Sequence, residues 1–470
     1  MSTAVMERPE TAPRPPQSPY CGLVQAADRE GQDDHRGYRF ASTGPHLLVS
    51  GPTGVGKTRR VLAPAAAVWQ GPAVVVSSKR DLMELVAQKR YGEACVIDLR
   101  PISGSAYPAD LKVCRIDPTI SIETVDDALI VAETLIAMSA VGFGGSTEQV
   151  TDGGLWDSVA EGPLAAILYY CSPASVGGGI PLALEIAENL HEPEDAGPNA
   201  LPGPSWESVA DQLSGTIIGR RLGRVLTMDA RQRDSVALAL TKALTPWVRE
   251  AVRNEAAPAF DIRFLNNPDT TLYLLAPPDG SAAGAAVALL ESIIRTWREL
   301  ESAGELEYRL LMVIDELPNT APLPKLATYV GEARGLGVAL VAAVQATSQF
   351  DVKFGHAQAE VLRDIFPAFG LLYGAPEKDI IEQASMWAGL AERRTEAFTQ
   401  NSSERSHEAR FGNLIEWQEM LPTSKDYCRL IIRGTPGVRA YLPDWSKLWP
   451  MLERYQHTRV TGTGNATVIR

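Results

Sequence analysis

Short, almost uninterrupted apolar runs recur along the chain: HLLVS (His46 to Ser50), AVVVSS (Ala73 to Ser78), ACVIDL (Ala94 to Leu99), TLYLLAP (Thr271 to Pro277), LLMVID (Leu310 to Asp315) and VALVAAV (Val338 to Val344). FGLLYG (Phe369 to Gly374) and CRLIIRG (Cys428 to Gly434) continue the series. A strand wet on one face alternates apolar and polar residues, whereas one that is apolar throughout is covered on both faces. Helical patterns separate these runs, so the chain is predicted to be α/β, with a mainly parallel sheet between helical layers.

Between Ile120 and about Ala251 the strand rhythm stops. ETVDDALIVAETLIAMSAV and LWDSVAEGPLAAILYYC read as helices, and the turn-rich loops GGGIP (Gly177 to Pro181) and HEPEDAGPNALPGPSW (His191 to Trp206) punctuate them. This predicts an all-helical domain inserted at residues 120–251 between two α/β parts, 37–119 and 252–449. Residues 1–36 carry prolines, charges and few apolar groups, which cannot repay the entropy of ordering, and are expected to form a disordered arm. Residues 450–470 are expected to be a short tail. No internal repeat interrupts this division.

Composition narrows the classes. A chain of 470 residues can bury one large core and a smaller one. Its five cysteines (Cys21, Cys95, Cys114, Cys171 and Cys428) form no CxxC pair, which points away from a disulfide framework or a thiolate metal site and towards a reducing compartment. No apolar run approaches the roughly 20 residues of a membrane-spanning helix, and the first 20 residues are not signal-like. The expected location is therefore cytoplasmic. The formal net charge of −13 repels polyanions at long range, so any nucleic-acid contact must come from a local basic surface.

The sharpest chemical signal is GPTGVGKT, Gly51 to Thr58, directly after the strand HLLVS and before the helical TRRVLAPAAAVW. It fits the phosphate-binding pattern GxxxxGK[ST] in the strand–turn–helix context that pattern requires. Gly51, Gly54 and Gly56 let the backbone turn, and Gly51, Pro52, Thr53, Gly54, Val55, Gly56, Lys57 and Thr58 form the cradle, whose donors are the backbone N–H groups of its residues other than Pro52. Lys57 reaches the β/γ oxygens and the Thr58 hydroxyl ligates Mg²⁺. LLMVIDE supplies the second half: Asp315 at a buried strand end would hold Mg²⁺ through water, and Glu316 would polarise the attacking water. The α/β parts are thus read as one nucleotide-binding domain. Ser78-Lys79-Arg80-Asp81 superficially resembles a guanine-reading NKxD, but it falls on the second strand, before the Mg²⁺ carboxylate instead of after it. ATP is the expected nucleotide.

The segment VIDELPNTAPLPKLATYVGEARGLGVALVAAVQATSQF, Val313 to Phe350, resembles the second half of the nucleotide domain of type IV coupling proteins, with their DE(F/L)P, ARxxGV and VQxxxQ runs. HLLVSGPTGVGKT, VVVSSKRDLMELV, LWDSVAEGPLAAIL, DIIEQASMWAG and EMLPTSKDYCRLIIRG extend the resemblance over roughly Tyr38 to Trp445. It implies a RecA-like P-loop domain, a homo-hexameric ring and ATP-driven DNA transfer. DNA, relaxase or relaxosome proteins and type IV secretion components are the implied partners. Position by position, Arg334 matches an arginine offered to a neighbouring subunit's nucleotide, Gln345 a γ-phosphate-sensing glutamine, and Lys79 the lysine of the second-strand turn. The family's second strand usually ends in Asp-Pro-Lys, where this chain has Ser77-Ser78-Lys79. The family's N-terminal pair of membrane helices has no counterpart here, so membrane contact is expected only through a partner, peripherally at the inner face of the cell membrane.

Within GRRLGRVLTMDARQRD, Gly219 to Asp234, the arginines Arg220, Arg221, Arg224, Arg231 and Arg233 outnumber Asp229 and Asp234. This is the candidate surface for sequence-independent, salt-sensitive phosphate contacts, against the alternative of a solvated helical face. Two other functions share these motifs: another ring translocase of the chromosome-partitioning or packaging type, and a nucleotide-dependent adaptor that recruits substrates with little motor action.

Overall fold

The computed structural model describes residues 18–25, 38–101, 107–108, 111–141, 153–190, 203–397 and 406–460. In chain order the strands are β1 (Leu23–Gln25), β2 (Tyr38–Phe40), β3 (His46–Ser50), β4 (Ala73–Ser77), β5 (Ala94–Asp98), β6 (Leu111–Val113) and β7 (Thr271–Leu275). They continue as β8 (Leu310–Ile314), β9 (Val338–Val344), β10 (Ala368–Leu371), β11 (Leu390–Ala397), β12 (Ser406–Asn413), β13 (Tyr427–Ile432) and β14 (Val438–Tyr441). Twelve of them build one sheet in the order β2-β1-β14-β13-β10-β3-β9-β8-β4-β7-β5-β6, and β11 and β12 pair as a separate hairpin. From β10 to β6 every pairing is parallel; β13, β14, β1 and β2 are joined antiparallel along one edge.

The apolar runs explain the layering. Strands β3, β4, β7, β8 and β9 are buried at every position. Because successive side chains point to opposite faces, each run divides between two cores. Leu48, Val74, Val76, Leu272, Met312, Ile314 and Val344 enter one; Leu47, Val49, Val75, Tyr273, Val313, Val341 and Ala343 enter the other.

The region between β6 and β7 folds into helices, among them Val125–Val141, Gly153–Tyr170, Gly179–Glu188, Ile217–Leu226 and Ala230–Leu244. Their buried residues, such as Leu135, Leu164, Leu168, Leu222 and Leu240, belong to the same core as the Leu48 face of the sheet and the helix Ala283–Ala303. The helical insertion therefore continues the sheet's own core.

Two expected boundaries move. The arm predicted over residues 1–36 contains β1, which pairs with β14 and β2, and Tyr20, Cys21 and Leu23 are buried. YCGLV is too short to announce a strand; its partner lies more than 400 residues away, at Tyr441. The rest of the expected arm, residues 1–17 and 26–36, lies outside the described residues. The tail predicted from residue 450 begins inside the helix Trp445–Val460, which tolerates Pro450; residues 461–470 lie outside the described residues.

Candidate nucleotide site

In a parallel sheet the carboxyl ends of neighbouring strands face one crevice, and ligands bind there. Five adjacent strands, β10-β3-β9-β8-β4, deliver their following residues to that pole. β3 leads into Gly51–Thr58, β4 into Lys79, β8 into Asp315 and Glu316, β9 into Gln345, and β10, through a short loop, into Glu377.

The loop after β3 turns with Gly54 at φ +81° and Gly56 at φ +97°, in the left-handed region that side chains disfavour. A Cβ on Gly56 would also fall 2.8 Å from Arg60 Cδ. The loop enters a π-helical turn, Thr58–Leu62, that runs into the α-helix Ala63–Val68, and the Arg60 amide donates to Gly56 O at 2.9 Å. Lys57 is buried, and its Nζ donates to the carbonyls of Gly51 and, at 3.3 Å, of Pro52. Burial lowers its pKa, against the opposing pull of Asp315 and Glu316.

Asp315 sits just past β8, with Ser77 Oγ 3.4 Å from its Oδ2. Burial first, then the neighbouring Glu316 charge, pushes its pKa up to about 6, while Lys57 and Lys79 pull the other way. A half-buried carboxylate beside the Ser77 hydroxyl, with the Thr58 hydroxyl at the end of the neighbouring P-loop, is a hard-oxygen donor set that fits Mg²⁺. Lys79 is exposed, at the start of the helix Arg80–Ala87, and its amide donates to Ser77 Oγ at 3.2 Å.

Glu316 adopts φ +54° and ψ +53°, a left-handed conformation rare for a residue with a Cβ. Its carbonyl accepts from the Asn319 and Thr320 amides at 2.8 and 3.1 Å, so the DELPNT turn holds it there. Gln345 Nε2 donates to Glu316 Oε1 at 2.8 Å, and the Gln345 amide donates to Gln349 Oε1 at 2.9 Å. The two side chains assigned separate tasks in the sequence are thus hydrogen-bonded to each other.

Arg334 is not brought to this cluster. It is exposed in the 3-10 turn Ala333–Leu336, ahead of β9, at the opposite pole of the sheet. The seven residues of β9 span about 23 Å at roughly 3.3 Å per residue, too far to reach its own P-loop.

Arg220, Arg221, Arg224 and Arg231 are exposed on the helices Ile217–Leu226 and Ala230–Leu244, and among the described residues none of them forms an ion pair. Arg221 lies near Glu161, whose carboxyl it draws down against the stronger upward push of burial. Arg233 is half-buried and donates to Leu226 O at 3.2 Å, so it serves the fold.

Several contacts were not anticipated by sequence reasoning. Lys425 Nζ donates to Gly54 O at 2.9 Å, from a loop 371 residues downstream. Arg59 pairs with Asp444 at 2.9 Å, holding that carboxyl well below the usual range, and Arg60 pairs with Asp426 at 2.8 Å. The segment TSKDY, which holds Lys425 and Asp426, was visible as part of the closing stretch, but nothing local shows that it closes on the P-loop.

A glycine-rich loop after one parallel strand, an Asp-Glu pair after another and a glutamine after the strand between them define a P-loop NTPase fold of the RecA-like class. The chain belongs to the family described as type IV secretory system conjugative DNA transfer, which matches residues 21–413. Among solved structures it is similar to the bacterial conjugative coupling protein TrwBdeltaN70 in its unbound form, at 19% identity over 85% of each chain with a TM-score of 0.57. It is also similar to TrwB in complex with ADP and Mg²⁺, at 20% identity over 85% of each chain and TM-score 0.55. For TrwB with a non-hydrolysable ATP analogue the figures are 18%, 92% of this chain, 96% of that chain and 0.54. No curated relative matches the sequence. Among the described residues no helix is long and apolar enough to cross a membrane.

Proposed function

We propose that this protein is an ATP-hydrolysing motor that recruits DNA, with its bound nucleoprotein, and drives it into a type IV secretion apparatus. The observation that carries the reading is the Gln345–Glu316 hydrogen bond set beside Lys57 and Asp315. A phosphate-binding loop alone would serve a switch or an adaptor; an oriented carboxylate beside it serves hydrolysis.

In this reading the backbone N–H groups of Thr53 to Thr58 take the nucleotide phosphates, and Lys57 Nζ exchanges the Gly51 and Pro52 carbonyls for β/γ oxygens. Thr58 Oγ1 and, through water, Asp315 would hold Mg²⁺, which would supply charge to neutralise the phosphates. Glu316, aimed by Gln345 Nε2, orients water and accepts its proton; loss of the γ-phosphate would then be felt at Gln345, and Lys79 tunes the field at Asp315. TrwB is described with ATP and GTP analogues alike, and the position of Ser78-Lys79-Arg80-Asp81 favours ATP here.

Arg334, too far from its own loop, acts on a neighbour's nucleotide in a homo-hexameric ring. The unpaired Arg220, Arg221, Arg224 and Arg231 track DNA phosphates. Relaxase proteins and secretion components are the partners, and one of them attaches the motor to the membrane.

The test is ATP turnover by the full chain with and without single- and double-stranded DNA. DNA should stimulate turnover. Glu316→Gln should reduce it by about 100-fold or more. Joint replacement of Arg220, Arg221 and Arg224 by alanine should remove stimulation and flatten its salt dependence, leaving the basal rate. Turnover indifferent to DNA contradicts the motor reading and leaves a nucleotide-dependent adaptor.

A further inference from the structure

Glu377 is a buried carboxylate outside every motif used above. It stands at the start of the helix Lys378–Trp387 but gives that helix no side-chain cap. Instead its Oε1 accepts from Ser50 Oγ at 2.6 Å and from the Thr347 amide at 2.8 Å, while its Oε2 accepts from Thr347 Oγ1. Burying a carboxylate is costly unless charge-assisted hydrogen bonds offset it, and these bonds go to two particular places. Ser50 is the last residue of β3, immediately before the P-loop; Thr347 lies two residues beyond Gln345.

From the other side, Arg363 donates to Thr347 O at 3.2 Å and pairs with Asp351. The turn so gripped folds back on itself, with Gln349 N donating to Ala346 O at 3.1 Å and Gln349 Oε1 accepting from Gln345 N. Gln345 in turn reaches Glu316. A path of hydrogen bonds, bridged by the two-residue backbone step from Thr347 to Gln345, therefore runs from the entrance of the P-loop through Glu377 to Gln345 and the water-orienting carboxylate.

We propose that Glu377 is a positioning residue that ties the β3 end to the Gln345 turn and so keeps Glu316 in register with the bound phosphates. It touches no reacting atom. The inference rests on the hydrolytic reading of Glu316. A strap that only stiffened the fold would change the thermal midpoint and all kinetic constants together. One that aligns the water-orienting group lowers kcat and leaves nucleotide affinity nearly alone, since the phosphate cradle is built from backbone amides.

The experiment compares wild type, Glu316→Gln, Glu377→Ala, Glu377→Gln and Thr347→Val in the full chain, measuring kcat, KM for ATP and the affinity for a fluorescent ADP analogue with Mg²⁺. Glu377→Ala should lower kcat by about 10–100-fold with KM and affinity within about threefold. Glu377→Gln, whose amide still accepts from Thr347 N and donates to Thr347 Oγ1, should recover most of the rate. Thr347→Val should fall between them. Without nucleotide, hydrogen exchange of the Gln345–Gln349 amides should speed up by about tenfold in Glu377→Ala and stay slow in Glu377→Gln.

Should Glu377→Ala fold poorly, the Gln and Thr347→Val variants decide, because both keep the packing. A wild-type kcat in Glu377→Ala or Thr347→Val, or affinity lost in proportion to kcat, overturns the proposal. An inactive wild type, or an unaffected Glu316→Gln, instead overturns the hydrolytic reading, and the proposal falls with it.

Discussion

Asp315 and Glu316 are neighbours in sequence and opposites in circumstance. Burial presses Asp315 towards its neutral form, with a pKa near 6, whereas Glu316 is bent into a left-handed turn and held by Gln345. An acid whose folded pKa is raised costs the folded state stability above that pKa and recovers it as the pH falls towards the unfolded value. Asp315→Asn should therefore stabilise the nucleotide-free protein at pH 7.5 by about 1–2 kcal/mol, read as a higher thermal midpoint, while abolishing the Mg²⁺ dependence of nucleotide affinity. In the wild type, Mg²⁺-dependent affinity should weaken as the pH drops through about 6, where Asp315 takes up its proton. A profile flat from pH 5 to 8 would show that Asp315 does not hold the metal. At this scale the sequence was readable where the chemistry is written locally: Gly54, Gly56, Lys57 and Thr58 form a contiguous code. Glu377 and Lys425 escaped because their partners, Ser50 and Gly54, are 327 and 371 residues away.

The elements tell a similar story. All eight apolar runs became strands with ends within three residues, because a strand buried on both faces has nothing but apolar side chains to show. The edge strands β1, β2 and β14 were missed: each is three or four residues long and half-exposed, so local pattern carries almost no signal. The edge nevertheless closes over the site. β14 leads into Leu442, whose carbonyl accepts from Arg60 NH1 at 2.5 Å, and Asp426 pairs with the same arginine just ahead of β13. β1 in turn covers β14. Deleting residues 1–25 should expose the apolar surface under Tyr20, Cys21 and Leu23 and lower the thermal midpoint by about 3 °C or more. Since the P-loop helix loses a brace, nucleotide affinity should also fall. An unchanged midpoint and unchanged affinity would mean that β1 contributes nothing to the site. The partly exposed Arg59–Asp444 pair should matter much less, as such pairs contribute about 0–1 kcal/mol.

For the whole molecule, the strong negative charge and the exposed arginines on the helical insertion, which form no ion pair among the described residues, belong together. A chain of net charge −13 can hold DNA only where its own field is locally reversed, so the proposed contact would be confined to that patch and sensitive to salt. The insertion was legible as helical from the loss of strand rhythm after Ile120, but its continuity with the sheet core was not, because the packing of the Val125–Val141 helix, which carries Leu135, on the Ala283–Ala303 helix leaves no local trace. That continuity gives the basic helices a rigid connection to the nucleotide domain. At the opposite pole from the P-loop, Arg334 is exposed and out of reach of its own nucleotide. In the proposed ring the site would take its last cation from a neighbouring copy and turn over only when assembled.

Mixing inactive variants tests it most directly. Lys57→Ala removes the phosphate-holding lysine and Arg334→Ala the trans arginine, and each alone should lower DNA-stimulated ATP turnover by about 10³-fold. If Arg334 serves its neighbour, mixed rings place an intact Arg334 from a Lys57→Ala subunit against an intact P-loop in an Arg334→Ala subunit, and turnover reappears on mixing. Arg334→Ala at the wild-type rate, or two dead variants that stay dead when mixed although they co-assemble, would contradict the account.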